Sequence, residues 1–210
     1  MQFHRPAAAL LLQLIMATTA SAQIPDSIAE LENRLLGSQI FSLDFQVSTS
    51  GAVGVNIEGS LKKDAAGDIS LHAVGEFAGQ EVDLFANKAA QSFEFGSRAA
   101  PQNATPPPAL WEALLIGFTR MGILHNIANL SANMAPDHAD GGVAEWVVVQ
   151  NEVKTANQLT FDILVSNTPS GSAILFLNED GLPERRQQTV AFPGGEMRVV
   201  ETYSNVESFD

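Results

Sequence analysis

The sequence predicts an α+β domain: one curved antiparallel β-sheet of about ten strands with helices packed against it. Three observations predict it. Apolar residues alternate with polar ones at period two in two long blocks, the pattern of half-buried strands. Gly51, Gly67, Gly79 and Gly96 punctuate the first block at the spacing of consecutive antiparallel strands. Two stretches switch to helical period, one before the first block and one between the blocks, and sheet plus helices makes the layered arrangement.

The elements follow in order. His4 and Arg5 precede an apolar run over residues 7–17 and a small-residue ending that includes Ala20 and Ala22. Charge, short apolar core and small-x-small ending are the parts of a secretory signal peptide. The run falls short of the roughly 20 residues that span a bilayer. Cleavage after Ala22 is expected, leaving residues 23–210 as a single exported, soluble domain with periplasmic localisation. Next, Ser27 and Glu30 have capping-box spacing, Ile28, Leu31 and Leu35 share a face, and Gly37 offers a helix stop. Phe41, Leu43, Phe45 and Val47 then alternate with polar residues, as do Val53, Val55, Ile57 and Leu61, and again Ile69, Leu71, Ala73 and Phe77. Residues 82–85 and 93–95 are shorter strand candidates.

Residues 99–108 end in Pro106-Pro107-Pro108, which predicts an extended linker. A helix is expected over residues 109–130. Leu110, Leu114, Gly117, Met121, Leu124 and Ala128 form one face, while Trp111, Leu115, Ile116, Phe118 and Ile123 make much of the remaining circumference apolar. Such a helix should be buried on several sides. Gly117 and Gly122 allow close packing or bending. After the polar loop 132–142, Ala144, Trp146 and Val148 read as one inward row, and Leu159, Phe161, Ile163 and Val165 as another. Pro169-Ser170-Gly171 reads as a turn. Residues 173–177 are apolar on both faces, as in a doubly covered strand. Asn178-Glu179-Asp180-Gly181 is a hairpin turn, and Pro193-Gly194-Gly195 turns the chain into its last strand.

Leu31 to Leu36 leading into Phe41-Ser42-Leu43-Asp44-Phe45, then Gly59-Ser60-Leu61, and a closing run from Phe176 through Gly181-Leu182-Pro183 to Arg186, Met197-Arg198-Val199 and Tyr203-Ser204 resemble the LolA-like superfamily. Those proteins are periplasmic lipoprotein carriers and related lipid-binding envelope proteins. The resemblance spans essentially all of residues 23–210. It implies an open half-barrel with the N-terminal helix and the mid-chain apolar helix on its concave face, lidding an apolar cavity. A residue set of Phe45, Trp111, Leu114, Leu115, Phe118, Met121 and Phe161 is then expected to meet a ligand. The chain departs from a typical carrier in its larger apolar helix and at Asn87-Lys88-Ala89-Ala90-Gln91.

Composition excludes several chemistries. The chain has 24 acidic against 11 basic side chains, a net charge of −13, and no cysteine. Loss of Arg5 with the signal peptide makes it −14. Nucleic-acid binding needs a positive surface, and disulfides, thiolate zinc sites and cysteine nucleophiles need Cys. Asp137 and Asp140 suggest Ca²⁺, but the ligand set is incomplete and reads as a polar turn. His125 and His138 lack a second metal-binding signature, and His125 reads as a helix-end cap. Ser170-Gly171-Ser172 lacks the nucleophile elbow. Arg185-Arg186 reads as a solvated strand end, with an anionic head group as the alternative. Neither cofactor nor metal is implied, and no catalytic residue stands out.

The leading expectation is a monomeric, non-catalytic carrier whose partners are lipid or lipoprotein acyl chains, held between sheet and helical lid. The alternative is an interaction or sensor module with a filled cavity and another envelope protein as partner; a hydrolase is third. N-terminal sequencing of exported protein is expected to begin at Gln23, and an intact Met1 in the envelope fraction would refute the export reading.

Overall fold

The computed structural model describes residues 24–132, 147–165, 168–192 and 195–209. The expected signal peptide and the Asp137–Asp140 loop, with His138, Ala144 and Trp146, lie outside them. Helix α1 (Asp26–Gly37) opens the fold, followed by β1 (Ile40–Gly51), β2 (Val55–Lys63), β3 (Ile69–Phe77), β4 (Gln80–Ala89), β5 (Ser92–Ser97) and β6 (Ala100–Ala104). A helical crossover comes next: α2 (Leu110–Ile116), a π-helical turn (Gly117–Met121) and α3 (Ile123–Ser131). Five strands complete the chain: β7 (Val147–Lys154), β8 (Gln158–Val165), β9 (Thr168–Leu177), β10 (Pro183–Phe192) and β11 (Gly195–Phe209).

The eleven strands of the described residues form one sheet in the order β6-β5-β4-β3-β2-β1-β11-β10-β9-β8-β7. Each half is a meander, and the halves are joined by the first and last strands, β1 and β11, which pair antiparallel at its centre. The edges β6 and β7 do not pair with each other, so the sheet is an open half-barrel. That order has a topological consequence. The chain leaves the sheet at one edge and re-enters it at the other, so the segment between β6 and β7 must cross the whole sheet. Within it, α2, the π-turn and α3 lie on the face that carries the core, with the π-turn against β7 and α3 against β4 and β5.

Alternation decides which face is covered. Phe41, Leu43, Phe45 and Val47 of β1 are buried, with Ile57 and Leu61 of β2, Leu71 and Ala73 of β3, and Phe161 and Ile163 of β8. These inward rows and the apolar residues of α1 and the crossover form one core cluster. Helix α1 buries positions 28, 31, 32 and 35, the i, i+3, i+4, i+7 stripe of an amphipathic helix. Three of the four are aliphatic; the fourth is Glu32. Its carboxylate receives two parallel bonds from Arg120, at 2.7 Å from Nε and 2.8 Å from Nη2, and Thr119 donates to it at 3.0 Å. Arg120 also donates to the Val147 carbonyl at 2.7 Å. With Arg120 1% and Glu32 5% exposed, one buried ion pair ties α1, the crossover and the edge strand β7 together.

Several expectations are corrected. Helix α1 starts at Asp26 after Pro25, and Ser27 makes no side-chain cap, so the capping box is not used; Ser27 is buried within the first turn instead. The helix ends after Gly37 through Ser38, whose hydroxyl bonds the Arg34 carbonyl at 3.0 Å. The region expected as linker supplies β6, a wholly exposed edge strand. Residues 169–171 belong to β9, with Pro169 opposite Leu164 and Gly171 opposite Ile163 of β8, and do not form the expected turn. Strand β9 is covered on one face only: Ala173 and Leu175 are buried while Ile174 and Phe176 are half-buried. In β7 the inward residues are Val147 and Val149, not Val148. Three consecutive valines make the period visible and hide its phase.

Because Arg120 has lost its water, the Glu32→Ala variant is expected to lose about 3–5 kcal/mol of stability, the cost of leaving one member of a buried pair alone. Chemical denaturation measures it, and a loss under about 1 kcal/mol would place the pair in solvent-like surroundings.

Candidate ligand cavity and its polar clamp

The single helix expected over residues 109–130 is broken, and the break is built into the chain. Gly122 has φ +89° and ψ 165°, a conformation that side chains disfavour. A Cβ there would stand 2.5 Å from Glu201 Oε1. Before it, the π-turn leaves carbonyls pointing towards the sheet; after it, α3 starts with free N–H groups. Both sets are met by a pair of charges on the sheet. Arg186 of β10 lies directly opposite Glu201 of β11 in the strand register. Arg186 donates to the carbonyls of Thr119 at 3.0 Å and Arg120 at 2.6 Å. Glu201 accepts from the N–H groups of Ile123 at 2.9 Å and Leu124 at 3.0 Å, and from the hydroxyl of Tyr203. A cation therefore sits at carbonyl ends and an anion at a helix start, the arrangement the backbone dipoles favour.

The clamp is dry. Arg186 is 1% exposed and Glu201 is fully buried. Burial lowers the Arg186 guanidinium below its usual range, opposed by Tyr203 and Glu201. Burial also holds the Tyr203 phenol well above its ordinary value, and the Glu201 charge raises it further. Asn126 closes the bend by donating to the Leu114 carbonyl at 3.0 Å. Gly117 makes room for it, since a Cβ at that position would lie 2.6 Å from Asn126 Oδ1.

Beside the clamp is an apolar cavity of about 280 Å³. The crossover supplies Met121, Leu124, His125 and Ala128; the sheet supplies Phe77 from β3, Gln188 and Val190 from β10, and Met197 and Val199 from β11, with Ser170 at the rim. It lies under α3, towards the end of the half-barrel where Phe77 pairs with Gln80 and Val190 with Met197. A larger depression of about 660 Å³ is lined by Gln150, Asp162, Ser172 and Thr189 together with Ile163 and Leu164.

Of the seven residues expected to meet a ligand, Met121 lines the cavity. Phe45, Leu114, Leu115, Phe118 and Phe161 are buried in the core cluster. Phe118 stands edge-on to Tyr203 at 5.0 Å between ring centres and tilted to Phe41 at 6.5 Å. Trp111 is half-buried, its ring 5.4 Å from Phe41 with Lys63 Nζ 5.5 Å from its centre. His125 is the third residue of α3, near its start, so it is no cap for the helix end; it lines the cavity. Arg186 is not a solvated strand end, and Arg185 stacks at 3.9 Å on Phe176. Sequence reasoning missed Gln188, Val190 and Val199. A signal was present: counted in twos from Val190, Gln188 and Arg186 fall in the inward row. Among the described residues no three His, Asp or Glu side chains come together as a metal site.

No protein-family model matches the chain, and no curated protein matches it. Solved structures to which it is similar include a LolA superfamily protein from Nitrosomonas europaea, with 8% identity, 88% of this chain and 92% of that one covered, and a TM-score of 0.37. LprF from Mycobacterium bovis aligns at 9% identity over 86% of this chain and 90% of that one, with a TM-score of 0.34. A β-barrel-like protein from Brucella abortus aligns at 12% over 81% and 97%, with a TM-score of 0.31. At these values the functional argument rests on the geometry of the chain itself.

Tyr203 is the one tyrosine in the sequence, so its ionisation can be read directly. Its folded pKa is raised, which means its contribution to stability is complete below the ordinary phenol value of 10.0 and declines as pH rises above it. Near-ultraviolet titration is expected to show no phenolate at pH 10 in the folded protein, with the signal appearing only as the chain unfolds. Half-ionisation at that pH in folded protein would contradict the buried clamp.

Proposed function

We propose that the protein is an exported, non-catalytic envelope protein that binds one slender apolar chain, such as a single acyl chain, in the cavity beneath α3. The observation that carries this reading is the cavity itself: apolar side chains from one helix and three strands converge on about 280 Å³. That is just under the roughly 300–1,000 Å³ of ordinary ligand pockets, a size for one chain and not for a multi-chain lipid. No helix of the described residues is long and apolar enough to cross a membrane.

The clamp restricts how binding proceeds. Swinging the crossover away would break at once the bonds that Arg186, Glu201 and Glu32 make to it, and breaking a buried charge's bonds costs several kcal/mol. Opening is therefore confined to the far end of α3, beyond Leu124, where Ala128 and Ser131 are exposed. The ligand enters end-on. A second reading has its own support: the concave face elsewhere is filled by Leu114, Leu115 and Phe118, so an apolar side chain of a protein partner would fit the same cavity.

Native mass spectrometry and lipid extraction of the mature protein, with a fluorescent fatty acid as probe, test the proposal. Ala128→Trp places a ring at the exposed side of the cavity. It is expected to weaken probe binding roughly tenfold or more, equivalent to about 1.4 kcal/mol, with stability within about 0.5 kcal/mol of wild type. A folded wild type that neither binds the probe nor copurifies with lipid would refute the carrier.

A further inference from the structure

Gln188 is the one amide side chain in the cavity lining, and it is 8% exposed. Its orientation is fixed by chemistry. Arg186 directs Nε and Nη2 at the Gln188 oxygen, at 3.3 and 3.2 Å, and a guanidinium has only donors. The oxygen must face Arg186, so the NH₂ group is left on the cavity side. Gln188 makes no further side-chain hydrogen bond among the described residues. A fully buried cation thus holds an amide at the cavity, in a lining that is apolar except for Gln188, His125 and Ser170.

Resting on the carrier reading above, we infer that the ligand is an acyl group and not a bare hydrocarbon: its carbonyl or carboxyl oxygen accepts a hydrogen bond from Gln188 Nε2 while its chain contacts Met121, Leu124 and Val190. Free fatty acids and ester- or amide-linked acyl chains share that oxygen. A purely hydrocarbon chain would leave the donor unpaired, and sites built to hydrogen-bond a ligand discriminate against analogues that lack the group.

The test is displacement of N-phenyl-1-naphthylamine by methyl decanoate and by n-decane, in wild type and in Gln188→Glu. The glutamate keeps the acceptor oxygens for Arg186 and replaces the donor. The ester-to-alkane affinity ratio is expected to fall roughly tenfold in the variant, the effect of one net hydrogen bond. Decanoic acid in a parallel arm separates a free carboxylate from an ester. Should the variant not fold, the side-chain amide signal of Gln188 in wild type gives the answer: the ester shifts it and the alkane does not. An unchanged ratio, or equal shifts with both ligands, overturns the inference while leaving the apolar carrier intact. Failure of both compounds to displace the probe from wild type overturns the carrier reading and this inference with it.

Discussion

The opposed pair Arg186 and Glu201 is the constraint on which the crossover depends. Eleven strands zipped through β1 and β11 leave two free edges, and the chain must travel between them over the concave face. A continuous apolar helix on that path could slide or rotate, since apolar packing has no direction. Hydrogen bonds from one arginine to two carbonyls, and from two N–H groups to one carboxylate, fix its register to a single residue. The bend at Gly122 exists where those two sets of backbone groups meet the charges.

Buried charge is a costly way to fasten a helix, because hydrophobic residues of similar volume often serve stability as well or better. Here each charge is satisfied by backbone groups that would otherwise be orphans. The ends of helical segments expose such groups, and burying them unpaired costs about 1–3 kcal/mol apiece. Glu32 and Arg120 repeat the logic at the outer side of the crossover, where Arg120 also holds the first carbonyl of β7. The two pairs pin the crossover on its middle segment, and Ile127 and Leu130 anchor α3 through apolar packing in the core cluster, which has no direction of its own.

Much of the fold was legible in the sequence. Period-two alternation located β1, β2, β3 and β8 with their inward rows, because each has one covered face and polar residues on the other. It failed where both phases are apolar, as at Val147-Val148-Val149, and where a strand has no large apolar residue to alternate, as in β6. The helical break was legible only as an allowance at Gly117 and Gly122; its cause lies some 80 residues downstream at Glu201, which no local pattern reveals. The cavity was less legible still. Apolar residues that pack a core and those that line a cavity look alike in sequence, so Phe118 and Leu114 were indistinguishable from Met121. Arg186 and Gln188 carried the usable signal as polar residues in an inward row.

That signal also explains why the cavity is found where it is. Inward positions on β10 run Arg186, Gln188, Val190, a gradient from a buried charge through an amide to an aliphatic side chain. The charge must lie under the bend to hold it, and the apolar end must lie under α3. Gln188 stands between the two and is claimed on one side only, by the guanidinium. Its oxygen completes the polar clamp, and its side chain lines the cavity. A leucine at this position would leave the arginine short of an acceptor, and a glutamate would line the cavity with a carboxylate. The amide is the side chain that satisfies a buried cation on one side while offering an uncharged donor on the other, and so it couples the fastening of the crossover to the chemistry of what lies beneath it.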